Sequence, residues 1–180
     1  NCAVIKPSAY SPHSSRILSE IITAALPDTA AVITGGREQN AALLDQKFDF
    51  IHFTGSASVG RLVLSKAAAN LTPATLELGG KSPCIIDETA DLKLAARRIA
   101  FGKCLNAGQT CVAPDYVLLP QRLIPQFSAE YQRQIEEMYG DALSNPAFPR
   151  IINEKHFSRL LSLMPKSEII YGGEFDELSL

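Results

Sequence analysis

The chain has 180 residues, of which 46% are hydrophobic and 20% charged, and its formal net charge is −2. These proportions are typical of a soluble globular protein and exclude collagen-like, disordered and disulfide-scaffold classes. Because 17 basic residues stand against 19 acidic ones, the charge favours neither nucleic acid nor an anionic membrane as a partner. The chain begins with Asn1 instead of Met and enters a strand-like segment at once, which predicts a start cut from a longer chain.

The sequence carries no targeting or metal-binding pattern. Its apolar runs fall far short of the roughly 20 residues of a membrane helix, and no signal-peptide pattern opens the chain. The four cysteines lack the paired spacing of a zinc or redox motif, and the three histidines lie far apart, so we expect no metal site. Free thiols in a reducing compartment are the simplest interpretation, and they predict a cytoplasmic protein.

Strand and helix signals alternate through the first half of the chain. The predicted strands are 2–5, 30–34, 48–54 and 75–78. The predicted helices lie between Pro12 and Pro27, around 38–45, and from position 56 onward, the last with Val59, Leu62, Val63 and Ala67 on one face. This alternation is typical of a parallel sheet covered by helices.

The second half continues in the same style after a break at Gly79-Gly80, which we take as the boundary between two domains, 1–78 and 79–180. Strands are predicted at 83–86 and 116–119. Asp91 is a candidate N-cap for the helix that follows it. A long helix is predicted over 123–138, with Phe127, Tyr131 and Ile135 facing inward and Gly140 ending it, and a last helix over about 153–163.

Residues 53–60, Phe-Thr-Gly-Ser-Ala-Ser-Val-Gly, form the first candidate binding segment. A strand ends there, a glycine permits a tight turn, and Ser56 stands where a helix begins. The first N–H groups of that helix have no partner within it and suit a phosphate. The alternative is a plain capped helix in which Gly60 allows close packing.

Cys111 is the candidate nucleophile because it follows a turn of small and polar residues, 106–110. A thiol placed there can be reachable, with neighbouring N–H groups free to hold an oxyanion. The alternative is a buried structural cysteine, since cysteine is among the most buried residue types. We expect burial for Cys2 and Cys84, which lie in apolar strands, and for Cys104 near a helix end.

Two charged residues stand at the carboxyl ends of predicted strands, where ligands bind in open α/β sheets. Glu77 is either a solvent-facing strand residue or an acid–base group aimed into a cleft. Lys6 is either a surface lysine or a donor to ribose hydroxyls or phosphate.

Four segments in order resemble the NAD(P)-dependent aldehyde dehydrogenases. They are Ile-Lys-Pro-Ser at 5–8, Phe-Thr-Gly-Ser at 53–56, Glu-Leu-Gly-Gly-Lys-Ser-Pro at 77–83 and Gly-Gln-Thr-Cys at 108–111. Residues 108–116 and 150–157 are similar to the class 3 branch, which includes fatty, aromatic and coniferyl aldehyde dehydrogenases. The resemblance implies doubly wound parallel α/β sheets of Rossmann type, truncated at both ends. It assigns 1–78 to the cofactor domain and 79–180 to the catalytic domain.

The resemblance also implies two catalytic residues. Cys111 would attack the aldehyde to form a thiohemiacetal, which becomes a thioester when hydride passes to the nicotinamide. Glu77 would be the general base that activates water to hydrolyse the thioester. The Cys111 N–H would supply half of an oxyanion hole, and the substrate would be a small-molecule aldehyde.

For NAD or NADP, the resemblance implies five binding residues. Ser56 would face the pyrophosphate and Lys6 the adenosine ribose, while Leu78 would lie beside the cofactor. A side chain at Gly55 or Gly79 would obstruct the cofactor or the turn. The resemblance implies a homodimeric parent, with no nucleic-acid or membrane partner indicated in this segment.

One departure bears on the choice of cofactor. Many members carry an acidic residue after Lys-Pro-Ser, whereas Ala9 and Tyr10 follow here, which leaves room for the 2′-phosphate of NADP.

The family's second oxyanion donor lies before residue 1, so we expect the isolated chain to be nearly inactive, since one such loss costs about 100- to 1,000-fold in rate. Alternatives are a CoA-acylating enzyme, which would share the cysteine but against which Glu77 argues, and a non-catalytic, crystallin-like module, against which retention of both Glu77 and Cys111 argues.

Overall fold

Helices and strands alternate along residues 1–164 and 168–177, the part of the chain that the computed structural model describes. The chain divides into an N-terminal unit, Asn1–Gly79, and a C-terminal unit, Gly80–Leu180. Within the described residues every strand pair is parallel, so the predicted α/β class is confirmed. The described strands are three to five residues long and pair in three two-stranded ladders.

The N-terminal unit contains two of these ladders and three helices. Its elements are β1 (Ala3–Ile5), α1 (Pro12–Ala25), β2 (Ala30–Val32), α2 (Arg37–Leu44), β3 (Ile51–Thr54), α3 (Ala57–Ala69) and β4 (Ala74–Glu77). Strand β1 pairs with β2, and β3 pairs with β4. Helix α1 begins at Pro12 as predicted, because proline has the backbone angle of a first helical turn and lacks an N–H that would need a partner there.

The buried face of helix α3 is narrower than the sequence predicts. Val63 and Ala67 are 2% and 3% exposed and Gly60 is buried, whereas Val59 and Leu62 are exposed. The buried positions follow the three- and four-residue spacing of one helix face, and Val59 and Leu62 fall beside that face. The prediction of one face shared with Val59 and Leu62 is therefore wrong.

The described residues of the C-terminal unit contain one ladder and three α-helices. Its elements are β5 (Ser82–Ile85), α4 (Leu92–Cys104), β6 (Pro114–Leu118), α5 (Ile124–Tyr139) and α6 (Glu154–Leu163). The core forms around Ile86, Ala96 and Phe127. Half-buried apolar side chains surround these three residues: Leu92, Ala95, Ile99, Val117, Leu119 and Tyr131.

The inward face of α5 also differs from the prediction. Phe127 is buried and Tyr131 packs against the core as expected, but Ile135 is only half-buried and Gln134 takes the buried position. Positions 127, 131, 134 and 135 share one side of the helix by their three- and four-residue spacing, so Gln134 joins the predicted inward face. The Gln134 amide donates hydrogen bonds to the carboxylates of Glu130 and Glu137, so its polar end is not left without partners.

Helix ends in the C-terminal unit follow their capping residues. The Asp91 carboxylate accepts a hydrogen bond from the Leu94 N–H at 3.1 Å, which confirms the predicted N-cap of α4. Gly140 ends α5 with a φ of +62°, a left-handed conformation that favours glycine. Across the described residues, no helix combines the length and apolar character needed to span a membrane.

Candidate active site

The carboxyl ends of β3 and β4 bring two predicted site segments together in the N-terminal unit. Thr54 stands opposite Glu77 in the parallel register, and the Gly55 N–H donates a hydrogen bond to the Glu77 carbonyl oxygen at 2.9 Å. The Glu77 side chain is exposed. Its carboxylate is therefore open to solvent at the carboxyl edge of the ladder, where ligands bind in open α/β sheets.

Ser56 caps the helix that begins beside this edge. Its Oγ accepts a hydrogen bond from the Val59 N–H at 3.3 Å and lies 3.0 Å from the Ser58 Oγ. The first N–H groups of α3 have no partner within the helix. A Cβ on Gly55 would come 2.5 Å from the Phe53 ring, so a side chain there would displace that ring. The unpartnered N–H groups at this exposed helix start, with the one hydroxyl proton that the Ser56–Ser58 hydrogen bond does not use, make a donor set that suits a phosphate.

Leu78 and Gly79 differ in how tightly they are surrounded. The Leu78 side chain is half-buried, and a Cβ on Gly60 would lie 3.0 Å from its Cδ2. A Cβ on Gly79 would have no atom of the described residues within 4 Å, and its φ lies outside the left-handed region. The expectation that a side chain at Gly79 would obstruct the turn is therefore wrong, and the crowded glycine is the next one, Gly80.

Lys6 lies at the end of β1 and binds backbone oxygens. Its Nζ donates a hydrogen bond to the Gly35 carbonyl at 2.8 Å and another to the Pro7 carbonyl. The side chain is half-buried. A lysine ammonium has three N–H donors, so one remains for a further acceptor. Lys6 thereby ties the end of β1 to the turn after β2.

Cys111 is exposed and follows a left-handed turn in the C-terminal unit. Asn106, Ala107 and Gly108 have φ values of +54°, +53° and +73°. The Ser82 hydroxyl donates a hydrogen bond to the Cys111 carbonyl oxygen at 3.4 Å. The predicted exposure of this thiol on a turn is what the structure shows.

Gly80 lies against the same carbonyl group of Cys111. A Cβ on Gly80 would come 1.8 Å from the Cys111 oxygen, a distance that no real Cβ adopts. The start of the C-terminal unit and the loop of Cys111 therefore approach each other backbone to backbone, which only glycine permits at this position.

Sequence reasoning missed Gln109 as a structural residue. Its amide nitrogen donates hydrogen bonds to the carbonyls of Asn106 and Arg150, both at 3.0 Å, and its amide oxygen accepts from the Ile152 N–H at 2.9 Å. Gln109 and its two distant partners lie in 108–116 and 150–157, the two segments that the sequence analysis uses only for the resemblance to the class 3 branch. Gln109 could have been singled out from the sequence, because it stands two residues before the candidate nucleophile and its amide can both donate to and accept from backbone groups.

The other cysteines are less buried than expected. Cys2 is exposed, so its predicted burial is wrong: it lies before β1, whose first residues Ala3 and Val4 are exposed as well. Cys84 and Cys104 are half-buried. Burial raises the pKa of the Cys104 thiol, and the neighbouring Lys103 charge opposes that rise. Within residues 1–164 and 168–177, no group of three or more His, Cys, Asp or Glu side chains is placed to hold a metal ion.

A family model of known proteins matches residues 1–175 of the chain, and its description is the aldehyde dehydrogenase family. The chain belongs to this family. Its curated relatives place it in the class 3 branch: the Bos taurus aldehyde dehydrogenase family 3 member B1 is 45% identical over 100% of this chain. The Mus musculus protein named "aldehyde dehydrogenase, dimeric NADP-preferring" is 44% identical over 99% of this chain. The chain spans 39% and 40% of these two relatives.

Solved aldehyde dehydrogenase structures have the same fold over this length. AldH of Staphylococcus aureus, in a substrate-bound state, is 42% identical with a TM-score of 0.90, over 99% of this chain and 40% of that one. The Mycobacterium tuberculosis aldehyde dehydrogenase complexed with NAD+ is 34% identical with a TM-score of 0.78, over 89% of this chain and 34% of that one. The parallel α/β arrangement is thus the one these enzymes share over the matching part of their chains.

Proposed function

We propose that the protein carrying this chain oxidises an aldehyde to a carboxylic acid, with NAD or NADP accepting the hydride. The observation that carries the proposal is an exposed cysteine on a left-handed turn, in a chain that belongs to the aldehyde dehydrogenase family. We assign the catalytic domain to the unit that holds Cys111 and the cofactor domain to the unit that holds Ser56 and Lys6.

Cys111 is the nucleophile of the proposed reaction. Its thiolate sulfur forms a bond to the aldehyde carbon, and the carbonyl electrons move to the oxygen. The Cys111 N–H donates a hydrogen bond to that oxyanion. A bound nicotinamide supplies the acceptor for the hydride, whose departure leaves a thioester on Cys111.

Glu77 acts in the second half of the reaction. Its carboxylate takes a proton from water, and the water oxygen attacks the thioester carbon. The sulfur–carbon bond then breaks, the carboxylic acid leaves, and the Cys111 thiolate is restored. A positioned base for water favours hydrolysis over transfer of the acyl group to CoA.

The cofactor would be held by donors of the N-terminal unit. The N-terminus of α3, which Ser56 caps, would face the pyrophosphate, and the Lys6 N–H not bound to the Gly35 or Pro7 carbonyl would donate to a ribose hydroxyl. Leu78 would border the cofactor, while the small Gly55 and Gly79 would leave it room. No carboxylate follows Lys6-Pro7-Ser8, so nothing in that segment repels the 2′-phosphate of NADP. The mouse relative is named NADP-preferring and dimeric, which supports the use of NADP and a homodimer.

The test is an aldehyde assay of the intact protein that carries this chain. Formation of reduced cofactor is followed by absorbance with a fatty and an aromatic aldehyde, with NAD or NADP, and with or without CoA. We expect turnover without CoA, a carboxylic acid as product, and loss of turnover in Cys111→Ala. Cys2→Ala, at a second exposed thiol, is the matched control and keeps full activity. An acyl-CoA product would favour the CoA-acylating alternative, and absence of turnover in the unmodified protein would favour the non-catalytic one.

A further inference from the structure

The Gln109 side chain joins the loop of Cys111 to a backbone segment 41 to 43 residues further along the same unit. Its Nε2 donates one hydrogen bond to the Arg150 carbonyl and one to the Asn106 carbonyl, each at 3.0 Å. Its Oε1 accepts the third from the Ile152 N–H at 2.9 Å. Both N–H groups of the amide and its oxygen are therefore engaged by backbone groups.

Arg150 fixes the segment to which Gln109 binds. Its Nη1 donates to the Ala142 carbonyl at 2.9 Å, and its Nη2 donates to the Leu143 and Asn145 carbonyls at 2.9 and 3.3 Å. A guanidinium is a rigid fork of donors, so three carbonyl partners define its position closely. The backbone oxygen that Gln109 reaches thus belongs to a residue whose own side chain is anchored.

The loop itself needs such support because two of its non-glycine residues are left-handed. Asn106 and Ala107 have φ values of +54° and +53°, which persist only where the surroundings impose them. The Gln109 amide binds the Asn106 carbonyl, and the Asn106 amide donates back to the Gln109 carbonyl at 3.2 Å. This reciprocal pair closes the turn two residues before the thiol.

We propose that Gln109, supported by Arg150, is the positioning residue of Cys111. Gln109 touches no reacting atom; it holds the turn that sets the direction of the Cys111 thiol and of the Cys111 N–H. This inference rests on the proposed function for its effect on turnover, whereas its effect on the loop does not depend on it. Loss of the amide donors lowers kcat, and the KM for the cofactor stays nearly unchanged because the proposed cofactor groups lie in the other unit.

The decisive variant is Gln109→Glu in the intact protein that carries this chain. It keeps the acceptor for the Ile152 N–H but replaces two donors with a carboxylate oxygen facing two carbonyls. Arg150→Lys is the second variant, since an ammonium cannot reproduce the three-carbonyl fork. Gln132→Ala is the matched control, because Gln132 is an exposed glutamine on α5 whose amide donates to Glu136 at 2.9 Å.

Two readouts separate positioning from general stability. Since a misplacement of about 1 Å can cost on the order of 100-fold, we expect kcat to fall about 10- to 100-fold in Gln109→Glu and less in Arg150→Lys. Hydrogen–deuterium exchange rises in residues 105–112, while Tm and exchange in α4 and α5 remain as in the unmodified protein and in Gln132→Ala. Unchanged exchange in 105–112 overturns the inference, and so does unchanged kcat in an active protein or an equal loss of protection throughout the unit. If the unmodified protein lacks turnover, the proposed function fails, and exchange still decides whether Gln109 holds the loop.

Discussion

Gly80 and Cys111 lie so close that a Cβ on Gly80 would come 1.8 Å from the Cys111 carbonyl oxygen. Gly80→Ala must therefore move either the first residues of the C-terminal unit or the loop of Cys111. We expect kcat to fall on the order of 100-fold, because catalysis is sensitive to misplacement of about 1 Å. Steady-state kinetics of the intact protein measures this effect.

The control for Gly80→Ala is the preceding glycine. A Cβ on Gly79 would meet nothing within 4 Å, so Gly79→Ala leaves the iodoacetamide labelling rate of Cys111 unchanged. An effect of Gly79→Ala on the KM for NAD or NADP would reflect its proposed place beside the cofactor. Equal labelling and equal kcat in Gly80→Ala would show that the loop accommodates the methyl group.

The four cysteines should react with iodoacetamide in an order set by exposure and environment. Cys111 and Cys2 are exposed, whereas Cys84 and Cys104 are half-buried and burial raises the pKa of Cys104. We expect Cys111 to react fastest, ahead of Cys2, with the other two last, as followed by mass spectrometry of digested samples. In urea the four rates converge, which is the control. Labelling of Cys2 as fast as Cys111 would favour a non-catalytic module.

Glu77→Gln tests the assignment of the general base. An amide cannot take the proton from water, so steady-state turnover falls by roughly 100- to 10,000-fold, while the first turnover still produces reduced cofactor. Rapid-quench kinetics detects this burst, and mass spectrometry of the quenched protein finds an acyl group on Cys111. Glu20→Gln, at an exposed glutamate of α1, is the matched control. Unaltered steady-state turnover in Glu77→Gln would assign the base elsewhere.

Ala107 is expected to gain stability on replacement by glycine. Its φ of +53° costs an L-residue roughly 1–2 kcal/mol, and glycine avoids most of this while losing more backbone entropy on folding. Ala107→Gly therefore raises the free energy of unfolding by about 0.5–1 kcal/mol, as measured by urea titration. Ala68→Gly, in the exposed part of α3, lowers it by about 1 kcal/mol, because helix interiors disfavour glycine. A loss of stability in both variants would contradict the strained turn.

Because of Tyr131, the free energy of unfolding of the C-terminal unit should fall as the pH rises above 10. Burial, followed by the nearby Cys104, Tyr171 and Tyr139, raises the pKa of Tyr131 to about 12. Above pH 10 an unfolded tyrosine loses its proton while Tyr131 keeps it, so the unfolded state binds fewer protons and stability falls as pH rises from 10 to 12. The loss is on the order of 2 kcal/mol, since each tenfold change in an equilibrium corresponds to about 1.4 kcal/mol.

The variant Tyr131→Phe lacks this ionisation and should lose less unfolding free energy between pH 10 and 12. Urea unfolding at several pH values measures the difference. Tyr10→Phe, at a ring that is 62% exposed in the N-terminal unit, is the control and follows the unmodified protein. If the unfolding free energy of Tyr131→Phe and of the unmodified protein fell equally between pH 10 and 12, the pKa of Tyr131 would not be raised in the folded state.

Local signals were sufficient where a residue acts on its immediate neighbours. Pro12 and Asp91 predicted the starts of α1 and α4, and the turn before Cys111 predicted an exposed thiol. The segments at 53–56 and 77–79 were each recognisable, and parallel pairing joins them through the register of Thr54 with Glu77.

Features that depend on distant contacts were not predictable. Gln109 binds backbone groups 41 and 43 residues away, which no periodicity indicates. Gly79 and Gly80 are equivalent in sequence, and only the approach of Cys111 makes the second one the crowded position. The exposure of Val59 and Leu62 was unpredictable for the same reason. The covered side of α3 is the one where Gly60 lets Leu76 and Leu78 come close.

The contact of α3 with β4 restricts which residues position 60 can accept. A Cβ on Gly60 would lie 3.2 Å from the Leu76 Cδ1 and 3.0 Å from the Leu78 Cδ2, so the helix rests on the two leucines that flank Glu77. The helix end at Ser56 and the carboxylate at Glu77 therefore share one mechanical support. A larger residue at position 60 would displace both in a single step, which couples any change at the proposed pyrophosphate site to a change at the proposed base, Glu77.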